Sequence, residues 1–194
     1  MRLIVGVSGA SGAIYGIRAL QALRELGVET HLVVTDAALE TIRLETDFDK
    51  ADVFRLATET HRLDDITSKI ASGSYQTDGM LVIPCSMKTL AGIASGYSDN
   101  LLLKAADVTI KERRRLVLVV RETPLSLIHI ENMATVTRAG AVVLPAMPAF
   151  YQRPKTVAGL VDHVVGKAFD VLGIEHHLLE RWEGDSTRLG KGRS

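Results

Sequence analysis

A single cysteine, Cys85, excludes an intrachain disulfide and a thiolate metal cluster. Aromatic residues make up only 5% of the chain and are not interleaved with basic ones, so no surface for stacking single-stranded nucleic acid is legible. Basic and acidic residues balance at 23 each. Without a net charge, no global field draws the chain to nucleic acid or to an anionic membrane. No run approaches the roughly 20 apolar residues of a membrane span. Met1 leads straight into an apolar run, which leaves no room for a signal peptide and points to a cytoplasmic setting. His129, His176 and His177 lack metal-ligand partners at helical or hairpin spacing, so no metal site is assigned. Repeats, low-complexity tracts and a domain linker are also missing, and 194 residues suit one domain.

What remains is 46% hydrophobic, enough for a sizeable core. The organising stretch is Met1 to Gly16. Leu3-Ile4-Val5-Gly6-Val7 is too short for a helix and reads as a strand buried on both faces. Ser8-Gly9-Ala10-Ser11-Gly12 breaks it with small residues, and Ile14, Ile17, Leu20, Leu23 and Leu26 then recur at helical spacing. A strand, a tight turn and a helix leave unpaired N–H groups at a positive helix end, where a phosphate fits. Ser8 and Ser11 can add hydroxyl donors. The glycines Gly6, Gly9 and Gly12 are spaced G-x-x-G-x-x-G, which is not the dinucleotide fingerprint. The alternative is a close-packed strand-to-helix connection that binds nothing.

Glu29 to Val34 predicts a second strand and hence a parallel βαβ unit, with Thr35-Asp36 at its carboxyl end. A helix is expected over Ala37 to Leu44. Residues 48–78 are polar and weakly patterned, with room for short helices, and Ser72-Gly73-Ser74 is expected as a flexible loop. Gly79 to Pro84 predicts a buried strand leading to Cys85-Ser86-Met87-Lys88-Thr89, where Ser86 occupies an N-cap position. Asn100 to Lys111, Ile128 to Ala139 and Thr156 to Leu172 predict helices; Leu116 to Val120 and Ala141 to Leu144 predict strands. The pattern is α/β: a single-domain doubly wound, Rossmann-like parallel sheet of five or six strands with helices on both faces, spanning 1–182, then a polar tail over 183–194. In such a sheet the loops at Ser8–Ser11, Thr35-Asp36, Cys85–Thr89 and Arg121-Glu122 converge on one edge.

Arg121 suits a phosphate or the electron-rich edge of a ring, and Glu122 is a candidate general acid–base. Their alternative is a mutual surface ion pair. Tyr151 is either a packed loop anchor or a phosphate ligand, and Lys167 is by default solvated. Lys111 and Arg113 to Arg115 form a basic cluster at a helix end, and the arginines are read as complementing it. Cys85 reads as a small buried hydrophobe and not as a nucleophile.

Gly9-Ala10-Ser11-Gly12-Ala13, Leu44-Glu45-Thr46-Asp47, Pro84-Cys85-Ser86, Lys111-Glu112-Arg113-Arg114, Arg121-Glu122-Thr123-Pro124-Leu125 and Pro148-Ala149-Phe150-Tyr151 together resemble the UbiX-type flavin prenyltransferases, nearest the small B subunits that accompany hydroxyaryl and phenylacrylic acid decarboxylases. The resemblance runs in order from residue 2 to Trp182. It implies a metal-independent enzyme that joins the dimethylallyl unit of dimethylallyl phosphate to reduced FMN, supplying prenylated FMN to a separate UbiD-type decarboxylase, and a homododecamer with sites shared between subunits.

Carried over by position, the resemblance implies that Gly9, Ala10, Ser11, Thr35, Ser86, Met87, Lys88, Thr89 and Arg121 hold FMN. Lys104, Lys111, Arg121, Tyr151 and Lys167 would surround the prenyl phosphate. Glu122 would manage protons, with Ser11 and Glu45 nearby, and burial would raise its pKa. Lys104 and Lys167 stand where some relatives carry arginine, and Thr35 where they carry serine. Lysine keeps the charge but loses the bidentate fork. Competing expectations are an NAD-dependent oxidoreductase with Asp36 on the ribose, an FMN-dependent decarboxylase, and a flavin-binding accessory subunit of a decarboxylase.

Overall fold

The structure is a computed structural model that describes residues 1–151, 153–179 and 181. Trp182 and the tail expected over 183–194 lie outside the described residues. The elements, in order, are β1 (Arg2–Val7), α1 (Ala13–Glu25), β2 (Glu29–Val34), α2 (Asp36–Glu45), α3 (Lys50–Phe54), β3 (Glu59–His61), β4 (Gly79–Cys85), α4 (Met87–Ser95), α5 (Leu101–Lys111), β5 (Arg115–Val120), α6 (Leu127–Arg138), β6 (Val142–Pro145) and α7 (Val157–Leu172).

The strands form one sheet of order β3-β2-β1-β4-β5-β6, with every pairing parallel. The continuous apolar runs follow from this, because each central strand is covered on both faces. One layer, built on α1, α2, α3 and α7, packs Leu20, Leu23 and the fully buried Phe169 against Leu3, Val5, Leu81 and Val117. The other, built on α4, α5 and α6, packs Leu102, Ala105 and Ala106 against Ile4, Met80, Val82 and Leu118. Successive strand residues therefore feed opposite cores. Gly16 is required for the first layer: a Cβ there would stand 2.5 Å from the Ile83 carbonyl.

Two local features differ from the reading of the sequence. Residues 48–78 carry the short helix α3, as allowed, and also a strand: Glu59–His61 pairs with His31 to Val33 as the edge strand β3. Three residues are too few to show a period-2 pattern. The Ser72-Gly73-Ser74 loop is pinned, since Arg114 donates to the carbonyls of Gly73 at 2.7 Å and Tyr75 at 2.8 Å. That arginine does more than complement a helix end.

The sheet order reverses direction between β1 and β4, and such a switch point opens a crevice at the carboxyl edge. There the ladder continues past the strands. Ser8 donates from its N–H and its hydroxyl to the Pro84 carbonyl, at 3.1 and 3.0 Å, and its Oγ accepts from the Ser86 N–H at 2.8 Å. Ser8 is thus a buried strut and not the ligand donor expected from sequence. The register between β4 and β5 slips between Val82 and Cys85, a bulge that re-aims the chain just before Ser86.

Candidate active site at the carboxyl edge of the sheet

Every strand-end loop expected at one edge is found there. A cleft of about 750 Å³ is lined by Gly9 after β1, Thr35 and Asp36 after β2, Ser86, Met87, Lys88 and Thr89 after β4, and Glu122 after β5. Asn100 and Asn132 add polar groups that sequence inspection missed, because each sits in an ordinary helical segment. Gly9 locks the loop in place: a Cβ would lie 2.4 Å from that of Ala37, at the start of α2.

Among the helices whose N-termini point at this edge, α1 and α4 differ. Gly12 caps α1 in the left-handed conformation at φ 100°, with no side-chain cap of its own. The cap comes from afar: a Glu45 carboxylate oxygen accepts from the N–H of Gly12 at 2.7 Å and of Ala13 at 3.1 Å. An anion of the protein's own, the Glu45 carboxylate, therefore already sits at the α1 N-terminus, beside the turn where a ligand phosphate is expected from sequence. Partial burial raises the Glu45 pKa. Hydrogen bonds from Ser11, Gly12 and Ala13, with the charge of Arg121, outweigh it and hold the carboxyl below its ordinary value. Burial also holds the Tyr15 phenol above its ordinary range, against the opposing charge of Arg121. Ser11, Glu45, Tyr15 and Arg121 thus form one electrostatic group.

The α4 N-terminus is capped within its own turn. The Ser86 hydroxyl accepts from the Thr89 N–H at 3.3 Å and donates to Thr89 Oγ1 at 3.1 Å. The N–H groups of Met87 and Lys88 head a helix whose first turn lines the cleft and carries no acidic residue. This terminus, with Lys88 beside it, is the better anion site. Thr35 faces it as the N-cap of α2, accepting from Ala38 at 3.1 Å.

The remaining residues divide. Arg121 is half-buried, and its N–H reaches the Cys85 carbonyl at 3.2 Å. Glu122 is exposed and accepts from the Thr123 N–H at 2.9 Å, so the burial expected for it is not provided by a single chain. An Arg121–Glu122 ion pair is not among those of the described residues. Lys111 does not join the cleft within one chain. It closes α5 just before β5 at the amino edge, about 20 Å from Arg121 at roughly 3.3 Å per strand residue. Its ammonium contacts Glu112. Lys104, seven positions earlier on the same helix face, pairs with Asp107 at 3.2 Å.

Tyr151 and Lys167 gather about His163. The Tyr151 and His163 rings meet edge to face at 6.2 Å. Burial, then the Lys167 charge, hold the His163 pKa below its ordinary value. Lys167 pairs with Asp170 at 3.3 Å. His163, whose buried Nδ1 has no hydrogen-bond partner among the described residues, was missed because a lone histidine on an apolar helix gives no signal. Cys85 is fully buried, and burial pushes its thiol up to about 12, as expected of an inert hydrophobe. His129 completes the capping box of α6, and His176 bonds Asp170.

Residues 1–179 match the Flavoprotein family. The flavin prenyltransferase UbiX of Thauera aromatica is 50% identical over 194 residues, which cover 100% of both chains. A crystal structure of AnUbiX in complex with FMN and dimethylallyl pyrophosphate superposes with a TM-score of 0.94 at 50% identity, covering 95% of this chain and 98% of that one. A dodecameric FMN-dependent UbiX-like decarboxylase from Escherichia coli O157:H7 superposes with a TM-score of 0.93 at 55% identity, covering 95% and 100%. With the switch-point cleft, the helix N-terminus and Lys88 that face it, and this near full-length likeness, the chain belongs to the flavoprotein family and, within it, to the UbiX-type flavin prenyltransferases.

Proposed function

We propose that the protein transfers the dimethylallyl group of dimethylallyl phosphate to reduced FMN, making prenylated FMN for a UbiD-type decarboxylase in the cytoplasm. The observation that carries this is one cleft uniting Gly9, Thr35, the first turn of α4 and Glu122. Its donors fit FMN: the α4 N-terminus, Lys88 and Thr35 would hold the phosphate, and Gly9, Ala10 and Ser11 would meet the ring system. Reduced flavin supplies the nucleophilic atoms. The chain's task is to neutralise charge growing on the departing phosphate and to move protons. Arg121 would serve the first need, with Tyr151 and Lys167. Glu122 would protonate the leaving phosphate and later accept a proton from the flavin. Glu45 and Ser11 would keep α1 and Arg121 in position.

Lys104 and Lys111 share one face of α5, and Lys111 ends that helix at the edge of the sheet opposite Arg121. They would serve the site of a neighbouring copy, in a homododecamer like that of the E. coli relative. The same neighbour would bury Glu122.

Anaerobic incubation with reduced FMN and dimethylallyl phosphate tests the proposal. Glu122→Gln should still bind FMN yet form product at least roughly a hundredfold more slowly, the lower range for acid–base groups. Normal rates would remove Glu122 from the mechanism. The description of the E. coli relative as a decarboxylase favours the alternative activity. Turnover of an aromatic acid by the isolated protein would establish that alternative; we expect none.

A further inference from the structure

At the far edge of the sheet, outside the cleft, His31 of β2 and Glu59 and His61 of β3 face the same side. Parallel register places His31 opposite Glu59 and Val33 opposite His61, so the three side chains share one face. Their free ends converge. His31 Nδ1 and His61 Nε2 stand 2.9 Å apart, and the Glu59 carboxylate lies 3.7 Å from each of these nitrogens. A tetrahedral ion about 2.0–2.1 Å from each ligand would space the ligands about 3.3 Å apart. The triangle therefore brackets that spacing, and closing it takes shifts of about half an ångström.

The outward nitrogens are also arranged for ligation. His31 Nε2 meets Glu29 Oε1 at 3.2 Å and the Tyr75 hydroxyl at 3.0 Å, and His61 Nδ1 meets Ser68 Oγ at 2.8 Å. A carboxylate and a hydroxyl behind two imidazoles are the partners that fix metal-binding tautomers and leave the inward lone pairs free. Both rings are nearly inaccessible, with side-chain exposures of 1% and 6%. A cleft of about 440 Å³ reaches one corner of the triangle, at His61, and adjoins the candidate active site through Asp36 and Leu63.

We propose that His31, Glu59 and His61 form a divalent metal site of the zinc class, with a water molecule as fourth ligand. Two imidazoles and one carboxylate suit a late first-row ion better than calcium or magnesium. The role is structural. The ion would tie the three-residue strand β3 to β2, and with it the segment through Leu63, which lines the candidate active site and accepts from the Leu101 N–H at 2.8 Å. The prenyl transfer itself would not use it.

Two features compete. Lys69 pairs with Glu59 and must swing into solvent; at 41% side-chain exposure it can. A proton can also bridge the two rings, with Ser68 donating to His61, His61 to His31, and His31 to Glu29. The full-length protein, stripped with chelator, is therefore titrated with Zn²⁺ and with Co²⁺, with FMN binding as the check on folding. We expect one Zn²⁺ per chain, the visible bands of four-coordinate Co²⁺, and a raised melting temperature. Glu59→Gln and His61→Ala should weaken Zn²⁺ at least tenfold, while Lys69→Ala should tighten it. Zinc binding that these substitutions leave unchanged would overturn the site. So would ¹⁵N resonances of the two rings that keep their bridging proton at saturating zinc.

Discussion

Glu45 shows how one residue can change the meaning of a motif. The small-residue turn after β1 has the form of a phosphate loop, yet its helix end is already satisfied by a carboxylate 33 positions away. The contribution to stability carries a definite pH dependence. Glu45 is held below its ordinary value of 4.5, so its stabilisation is complete above about that pH and is lost as the pH falls through the lower folded value. Glu45→Gln resembles the protonated form. It should lower unfolding free energy by about 0.3–1 kcal/mol at pH 7, the usual worth of a charge at a helix end. The difference should vanish in acid. Urea titrations at pH 7 and below pH 4.5 measure it, and a pH-independent difference would show that the charge is not what matters.

Among the elements, α1 and α4 present similar N-termini with opposite prospects. Ser86 caps α4 from inside, leaving the first-turn N–H groups facing the cleft. Ser86→Asp separates cap from ligand. Aspartate caps as well as serine, so the helix should survive and the melting temperature should hold. Its charge would sit beside the expected phosphate, and FMN affinity should fall at least tenfold. Unchanged affinity by flavin fluorescence quenching would place the phosphate elsewhere. The corresponding change in the β1–α1 turn, Gly9→Ala, should instead destabilise. Its Cβ would meet that of Ala37 at 2.4 Å, an overpacking that costs about 1–3 kcal/mol, read from urea midpoints.

At the scale of the whole molecule, the cations expected about one prenyl phosphate do not meet in one chain. Lys111 is at the amino edge of the sheet and Arg121 at the carboxyl edge. If Lys111 serves a neighbour's site, two defective chains can repair one another. Lys111→Ala and Glu122→Gln should each be nearly inactive alone. Co-assembled, they should regain prenylation in sites that draw an intact lysine from one subunit and an intact glutamate from the other. No recovery in mixed oligomers would place Lys111 outside the site.

The sequence by itself determined the alternation of strand and helix, the parallel sheet and the loops at its carboxyl edge. Those depend on local patterns: apolar runs such as Leu116 to Val120, and cap residues such as Ser86 and Asn100, which act within a few residues. Near full-length likeness to a family added the residues expected to carry chemistry. Only the tertiary structure decided that Glu45 fills the α1 end, that Ser8 braces β1 to β4, that Lys111 points away from its own site, and that His31, Glu59 and His61 meet. Each of these joins residues far apart in the chain, through the register of strands that are not neighbours in sequence or through the turn of a helix across the sheet. Local hydrophobic periodicity sets which face a residue takes; it does not set which distant residue stands opposite.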